Sequence, residues 1–320
     1  MAKTIIYELQ NILNEAKLLG DQNRIINFIE EEYQIHVKLR HGEISIPQEH
    51  IAYKDELVNL FSTLEYILNQ VKLNESDILT IVKNLSLENK EEIIDLYTKK
   101  KILFTTINGK SIYPKTLNQV DYIKAMEHND IVFGIGPAGT GKTYLAVLYA
   151  MQALKMGRIS KVVLVRPVVE AGEKLGFLPG DLKEKIDPYL IPLYDGITEA
   201  IGSENQEKYV NKKIIEIAPL AYMRGRTLEN AIIILDEAQN ATKMQMKMFL
   251  TRLGFNSKMI VTGDITQIDL PRKSDSGLVD AYYRLKNIKG VKFIEFDSRD
   301  VMRHPLLFEI IKRYEEDNEN

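Results

Sequence analysis

The stretch Gly136-Pro137-Ala138-Gly139-Thr140-Gly141-Lys142-Thr143 fits the pattern GxxxxGK[ST] at every fixed position. An apolar run at residues 130–135 precedes it, and a helical pattern at residues 143–156 follows it. A strand, a glycine-rich turn and a helix in this order form a cradle whose backbone N–H groups and helix N-terminus face phosphate oxygens. The sequence therefore predicts a nucleoside triphosphate site. The alternative is a glycine-rich turn that matches by chance.

The polar side chains of this motif have expected roles. Lys142 is expected to reach the β and γ phosphates, and the Thr143 hydroxyl is expected to bind Mg²⁺. The whole loop and the start of its helix are expected to contact the nucleotide. These residues are Gly136, Pro137, Ala138, Gly139, Thr140, Gly141, Lys142, Thr143 and Tyr144.

The rest of the second half of the chain alternates short β-branched runs with helical periods, which predicts a parallel sheet wrapped by helices. The predicted strands are residues 130–135, 161–165, 213–218, 231–235, 258–262 and 291–296. The predicted helices are residues 143–156, 243–253, 276–285 and 305–316. The predicted fold class is α/β, in a domain spanning residues 113–320.

Residues 1–73 have a different pattern and predict a small α+β domain. The pattern indicates a strand, a helix, two strands and a second helix, at residues 4–9, 22–33, 36–39, 43–46 and 54–71. Residues 74–112 are rich in charge with spaced leucines and isoleucines, so they are predicted to form a helical connector and a linker between the two domains.

Composition excludes several classes of protein. The chain has 320 residues, 45% of them hydrophobic, which is enough for a large globular core. It contains no cysteine, so disulfides and thiolate metal sites are excluded. Neither a secretory signal nor an apolar run long enough to cross a bilayer is present, so we expect a cytoplasmic protein without a membrane role. The net charge of −3 argues against bulk nucleic-acid binding but allows a local basic groove.

A second predicted strand of the α/β domain ends in two acids. Residues 231–235 are apolar throughout, and Asp236 and Glu237 follow them. Beside a phosphate loop, Asp236 can hold Mg²⁺ while Glu237 orients or deprotonates the attacking water. The alternative is an acidic N-cap for the helix that begins near Lys243. The loop upstream favours the catalytic interpretation.

Two side-chain amides are further candidates. Gln267 follows the strand at residues 258–262 at the carboxyl edge of the sheet, where it can sense the γ-phosphate through a water molecule. Gln119, near the start of a helix, can read the adenine edge because an amide both donates and accepts hydrogen bonds. The plainer alternatives are a local turn around Asp264 and an N-cap beside Gln119.

Together these motifs resemble those of superfamily 1 helicases, and longer segments resemble the PhoH-like ATPases, in the bacterial branch related to YbeZ. The segments are RPVVEAGEKLGFLPGDLKEKIDPYLIPLYD (166–195), LAYMRGRTL (220–228) and QMKMFLTRLGFNSKMIVTGDITQIDLPR (245–272). The resemblance implies a single RecA-like ATPase core that uses ATP and Mg²⁺.

Superfamily 1 helicases have two such cores, so the resemblance also implies that an arginine from a neighbouring subunit or a local loop completes the site. Arg303 and Arg226 are the first candidates, and Arg224 and Arg252 come next. Each can instead be an ordinary ion-pair partner. An arginine supplied by a neighbour implies a homo-oligomer, for example a hexameric ring.

Two regions suggest RNA binding. Residues 166–195 contain lysines and aromatics that can follow a single strand by phosphate pairing and base stacking, although the aromatics of a structured loop can equally pack on the core. These residues are Lys174, Phe177, Lys183, Lys185, Tyr189 and Tyr194. The N-terminal domain resembles a KH domain, but its nearest match to a GXXG clamp, Gly20-Asp21-Gln22-Asn23, lacks the second glycine and carries an acid. A protein-docking role is the alternative.

The leading prediction is an Mg²⁺-dependent ATP hydrolase coupled to RNA handling, whether by helicase-like remodelling, rRNA maturation or RNA decay with a ribonuclease partner. The main alternative is an ATP-gated switch that docks an endoribonuclease or a ribosome factor and unwinds nothing. The association of the PhoH-like family with the YbeY endoribonuclease favours that alternative. A small-molecule kinase is a weaker one, because no acceptor pocket or lid pattern is apparent.

Overall fold

The computed structural model describes residues 3–167 and 182–302, without the side chains of residues 182–190 and 192. The chain divides into two compact units. The first comprises Met1–Lys101 and Pro114–Leu117, and the second comprises Ile102–Tyr113 and Asn118–Asn320. None of the helices within the described ranges combines the length and apolar composition needed to cross a membrane.

The first unit is a three-stranded antiparallel sheet with helices. Its strands are β1 (Lys3–Glu8), β2 (Lys38–Arg40) and β3 (Glu43–Pro47), in the order β1-β3-β2. Its helices are α1 (Glu15–Leu19), α2 (Arg24–Tyr33), α3 (Lys54–Gln70), α4 (Glu75–Asn84) and α5 (Lys90–Lys99). Helices α4 and α5, from the predicted connector, pack against α2 and α3 within this unit. The sequence pattern does not predict α1, because a helix of five residues shows too little periodicity.

The second unit is built on a parallel sheet that follows a short hairpin of β4 (Phe104–Thr105) and β5 (Ser111–Ile112). The six strands of the sheet are β6 (Ile131–Ile135), β7 (Lys161–Arg166), β8 (Ile215–Pro219), β9 (Ala231–Leu235), β10 (Lys258–Gly263) and β11 (Val291–Glu295). They stand in the order β11-β6-β10-β9-β7-β8, with every neighbouring pair parallel. The predicted α/β class is confirmed.

Helices cover both faces of this sheet. They are α6 (Leu117–His128), α7 (Lys142–Lys155), α8 (Leu182–Ile201), α9 (Ser203–Asn211), α10 (Lys243–Leu250) and α11 (Gly277–Leu285). Val132 of β6 lies in the core formed with α6, α7 and α8, whereas the next residue, Phe133, lies in the core formed with α10 and α11. Strands buried on both faces explain why the sequence shows continuous apolar runs instead of alternation.

Helix α8 corrects one expectation. A structured loop is the expected alternative to RNA contact for residues 166–195, yet α8 begins at Leu182 and continues through Pro188 and Pro192. Proline inside a helix removes a backbone donor and usually ends the helix, which is why the pattern misleads here. Residues 168–181 and the predicted helix at 305–316 lie outside the described residues.

Candidate functional site

The carboxyl ends of β6, β7, β9 and β10 lie at one edge of the parallel sheet, where folds of this kind bind their ligands. A cleft of about 520 Å³ opens at this edge. Residues that lie far apart in the sequence line it together: Ala138, Gly139, Gly141, Lys142, Thr143, Tyr144, Asp236, Glu237 and Gln267. The structure thus brings the phosphate loop, the two acids and the predicted sensor amide into one site.

The phosphate loop is held by close backbone contacts. A Cβ built on Gly136 would lie 2.3 Å from the carbonyl oxygen of Phe296, so only glycine fits there. Its N–H donates to the carbonyl of Gly263 at 3.1 Å, which ties the loop to the end of β10. Gly139 and Gly141 have φ values of 86° and 79°, in the left-handed region that glycine enters at no steric cost.

Lys142 folds back into its own loop. Its ammonium group donates to the carbonyl oxygens of Gly136 at 2.7 Å and Pro137 at 2.6 Å. The residue is buried, with 8% of its surface exposed. The loop therefore carries a fixed positive charge at its centre.

Thr143 and Asp236 join the loop to β9. The Thr143 hydroxyl donates to Oδ1 of Asp236 at 2.6 Å. The hydroxyl of Thr262, at the end of β10, donates to the same oxygen at 2.8 Å. The sequence pattern did not single out Thr262, because a threonine in an apolar strand is an ordinary β-former.

These oxygens fit a magnesium ion. Mg²⁺ prefers carboxylate and hydroxyl oxygens, takes one or two protein ligands and draws the rest from phosphates and water. Asp236 and Thr143 supply such a pair beside the loop. The described residues contain no cluster of three His, Cys, Asp or Glu side chains that could hold a metal by itself.

Glu237 is held from two sides. Its Oε1 lies 3.2 Å from a guanidinium nitrogen of Arg166, and its Oε2 accepts a 2.6 Å hydrogen bond from Nε2 of Gln239. The backbone of Glu237 has φ 52° and ψ 39°, a left-handed conformation that is uncommon outside glycine. Such strain is typical of positions where a site constrains the chain. The sequence analysis assigned no role to Arg166 or Gln239. Both residues lie in segments that resemble the PhoH-like family, but the pattern alone gives neither of them an individual function.

Gln239 also connects the loop after β9, which carries Glu237, to the turn after β10, which carries Asp264. Its Oε1 accepts a hydrogen bond of 3.0 Å from the N–H of Asp264, while its Nε2 binds Glu237. The N–H of Gln267 donates to the carbonyl of Asp264 at 3.1 Å, and the Gln267 side chain lies exposed at the cleft. Gln239 therefore links the end of β9 to the turn that carries Gln267.

Gln119 lies behind the phosphate loop. It is buried, and its Nε2 donates to the Thr140 carbonyl at 3.1 Å. The N–H of Met302 donates to the carbonyl of Gly139 at 2.9 Å, so the end of the described chain also contacts the loop. Arg303, the first arginine candidate, lies just outside the described residues.

Two of the other arginine candidates, Arg226 and Arg252, have partners of their own in the second unit. Arg226 binds both oxygens of Glu216, which also accepts from Lys161 at 2.7 Å. The hydrogen bond from Arg226 and then the one from Lys161 lower the pKa of Glu216 to about 2, against the opposing effect of burial. Arg252 donates to the carbonyls of Met248 and Arg226, and Arg224 is exposed.

The structure describes the environment of two aromatic residues that were predicted to contact a ligand, Tyr144 and Tyr194. Tyr144 lines the cleft, and burial together with the nearby Glu199 carboxylate raises the pKa of its hydroxyl, so the group stays protonated. Tyr194 of α8 packs against the hydrophobic core. The structure does not describe the other side chains that were predicted to contact single-stranded RNA. These are Lys174, Phe177, Lys183, Lys185 and Tyr189.

Comparison with known proteins gives a consistent result. Residues 111–315 match the family model described as PhoH-like protein. A PhoH-like protein of Bacillus subtilis is 49% identical over 97% of both chains. The Protein PhoH of Escherichia coli is 46% identical over 61% of this chain and 56% of its own. Among solved structures, the UvsW helicase of bacteriophage T4 aligns over 67% of this chain and 70% of its own, at 12% identity and a TM-score of 0.37.

The family match spans the part of the chain that forms the cleft. It begins before α6 and covers the phosphate loop, both acids and Gln267. The arrangement of these residues at the edge of a parallel sheet is that of a RecA-like P-loop NTPase core. Because the sequence match and the site coincide over these residues, the chain belongs to the PhoH-like protein family.

Proposed function

We propose that this chain is a cytoplasmic, Mg²⁺-dependent ATP hydrolase that couples nucleotide turnover to RNA handling. The observation that carries the hydrolase is the 2.6 Å hydrogen bond from Thr143 to Asp236. It puts a hydroxyl and a carboxylate together beside a phosphate loop, where a bound Mg²⁺ would neutralise phosphate charge during hydrolysis.

The remaining residues of the cleft have separate roles in this proposal. The Lys142 ammonium stabilises the β and γ phosphate oxygens. Glu237 orients the attacking water and accepts its proton, and Gln267 senses the terminal phosphate through that water. Gln119 reads the adenine edge from its position against the loop.

The test of the hydrolase is phosphate release from ATP by the purified protein, with and without Mg²⁺. We expect turnover that requires Mg²⁺ and that is lost in Lys142→Ala, since the fixed charge of the loop disappears. Lys292→Ala is the matched control, because this lysine lies on β11 and does not line the cleft. Equal turnover in Lys142→Ala and the control would reject the proposed site.

The RNA part of the proposal is supported by the first unit. Its order of strands and α-helices is one strand, two helices, two strands and three helices, with the sheet order β1-β3-β2. The first six of these elements are compatible with the proposed KH-like domain. The loop between α1 and α2 is Gly20-Asp21-Gln22-Asn23. Asn23 stands at the second glycine position of a GXXG clamp, yet its φ of 62° is in the region that glycine favours. The negative charge of Asp21 would repel a nucleic-acid phosphate at this position.

This loop allows a direct test of RNA contact. If it clamps a nucleic-acid backbone, Asp21→Asn removes a repulsion and should tighten the binding of single-stranded RNA. The measurement is the RNA Kd of the full chain at several salt concentrations, with Asp95→Asn on α5 as the control. Unchanged affinity in Asp21→Asn would argue against the clamp.

A second candidate is the ATP-gated switch that docks an endoribonuclease of the YbeY type or a ribosome factor without unwinding RNA. It is favoured by large apolar side chains that the second unit exposes, among them Phe255 at 82% and Tyr283 at 79%. Aromatic residues are enriched at protein interfaces relative to the rest of the protein surface. Single-stranded RNA that leaves the ATPase rate unchanged, together with partner binding that requires ATP, would favour the switch over the RNA-coupled hydrolase.

A further inference from the structure

The cleft holds an arginine for which neither the sequence motifs nor the family description provides a role. Arg166 ends β7, the strand next to β9. Val165 pairs with Leu235, and the N–H of Asp236 donates to the carbonyl of Val165 at 2.8 Å. The register between the two strands therefore places their carboxyl ends next to each other. Arg166 and Glu237 consequently emerge side by side at the ligand edge of the sheet.

Arg166 reaches the acid on which the proposed reaction depends. Its guanidinium nitrogen is 3.2 Å from Oε1 of Glu237, and its side chain is 21% exposed. The same residue lines the cleft together with Lys142 and Gly139 of the phosphate loop. The opposite oxygen of Glu237 is bonded to Gln239. A carboxylate engaged at both oxygens has less capacity to accept a proton from water than one that is released on one side.

We propose that Arg166 is a positioning residue that exchanges Glu237 for the terminal phosphate of bound ATP. This inference depends on the proposed ATP hydrolysis. A terminal phosphate carries more negative charge than a carboxylate, and its oxygens match the planar donors of a guanidinium. The arriving phosphate therefore competes for Arg166, and the Oε1 of Glu237 becomes available to water.

Hydrolysis then proceeds by attack of water on the terminal phosphate. The water oxygen forms a bond to the γ phosphorus, and the bond between that phosphorus and the β–γ bridging oxygen breaks. The bridging oxygen keeps the electron pair as part of ADP, and the water proton passes to Glu237. Arg166 neutralises charge on the terminal phosphate during this step, from within the same subunit.

An ordinary ion pair would behave differently. A partly exposed Arg–Glu pair contributes little to stability and has no effect on the choice between nucleotides. A residue that exchanges partners should instead help the protein distinguish ATP from ADP, since only ATP has the terminal phosphate. The preference for an ATP analogue over ADP is therefore the readout that a structural role would not change.

The experiment compares the full-length wild type with Arg166→Ala and Arg166→Lys. We expect Arg166→Ala to lower kcat on the order of 100-fold. It should also weaken the binding of a non-hydrolysable ATP analogue while leaving the Kd of ADP unchanged. Arg166→Lys keeps a charge but loses the planar fork, so its kcat should lie between the two. Arg284→Ala is the control, because Arg284 also pairs with a carboxylate, that of Asp280 on α11, and does not line the cleft.

Added guanidinium ion should restore part of the turnover of Arg166→Ala and none of that of Lys142→Ala. Wild-type kcat and an unchanged ATP-to-ADP preference in either Arg166 variant would overturn the inference while leaving the hydrolase intact. If Arg166→Ala does not fold, kcat and the ATP-to-ADP preference of Arg166→Lys serve as the test. Absence of ATP hydrolysis by the wild type would instead reject the proposed function, and this inference with it.

Discussion

Gly136 is required by a steric contact as well as by its backbone conformation. A Cβ there would lie 2.3 Å from the Phe296 carbonyl oxygen, an atom fixed by the sheet. We expect Gly136→Ala to lower the free energy of unfolding by about 2 kcal/mol or more, because the main chain must move to relieve the clash. Chemical denaturation measures this cost.

Gly157→Ala is the matched variant for this prediction. Gly157 has a φ of 68°, and a Cβ there meets no atom within 4 Å. Its cost should be limited to the left-handed conformation, about 1 kcal/mol. Equal costs at the two positions would show that the contact with Phe296 does not constrain the loop.

At the scale of elements, Gln239 connects the end of β9 to the end of β10. Gln239→Ala leaves the buried N–H of Asp264 without its acceptor and removes the hydrogen bond that orients the Glu237 side chain. We expect kcat for ATP to fall by about tenfold or more, because the base and the sensor loop lose their common support. Steady-state kinetics measures the change.

Gln245→Ala separates this effect from simple loss of stability. Gln245 belongs to the capping box of α10 with Thr242, so its replacement should cost about 1 kcal/mol of stability and leave kcat unchanged. If both variants lose stability alike and neither loses turnover, Gln239 has only a structural role.

The ion pairs between β7, β8 and the following loop make a pH-dependent contribution to stability. The pKa of Glu216 is lowered from 4.5 to about 2 by hydrogen bonds from Arg226 and Lys161. A lowered pKa stabilises the folded state above the ordinary value of 4.5, and this stabilisation is lost as pH falls toward about 2. Glu216→Gln should therefore be less stable than the wild type at neutral pH, and the difference should shrink below pH 4.5. A difference that stays constant over this range would contradict the assignment.

The elements also show how far a sequence pattern reaches. The sheet was predictable because its strands are buried on both faces and therefore read as continuous apolar runs, such as Ala231–Leu235. The phosphate loop and both acids were predictable because their chemistry requires fixed residue types at fixed positions. Arg166, Gln239 and Thr262 were not, since their roles arise from contacts between strand ends that are distant in sequence. Helix α8 was not predicted because it contains prolines, and its packing against the hydrophobic core stabilises it.

At the scale of the whole molecule, we expect an assembly. If Arg303 of a neighbouring subunit adds to the charge that Arg166 supplies from within the chain, the protein should form oligomers when an ATP analogue is bound, with masses that are multiples of 36.7 kDa. Native mass measurement tests this. Mixing Lys142→Ala with Arg303→Ala subunits should then recover some turnover, because each supplies what the other lacks. A monomer under all conditions, without recovery on mixing, would place the whole site within one chain.

Glu237 is proposed as the base of an ATP-hydrolysing site, and single-turnover ATP hydrolysis by Glu237→Gln tests this role most directly. The amide keeps the shape of the side chain and removes its capacity to accept a proton. We predict that ATP binds at least as tightly as to the wild type, because Arg166 no longer pairs with a carboxylate, while the hydrolysis rate falls on the order of 100-fold or more below that of the wild type. Hydrolysis by Glu237→Gln at the wild-type rate would contradict the account.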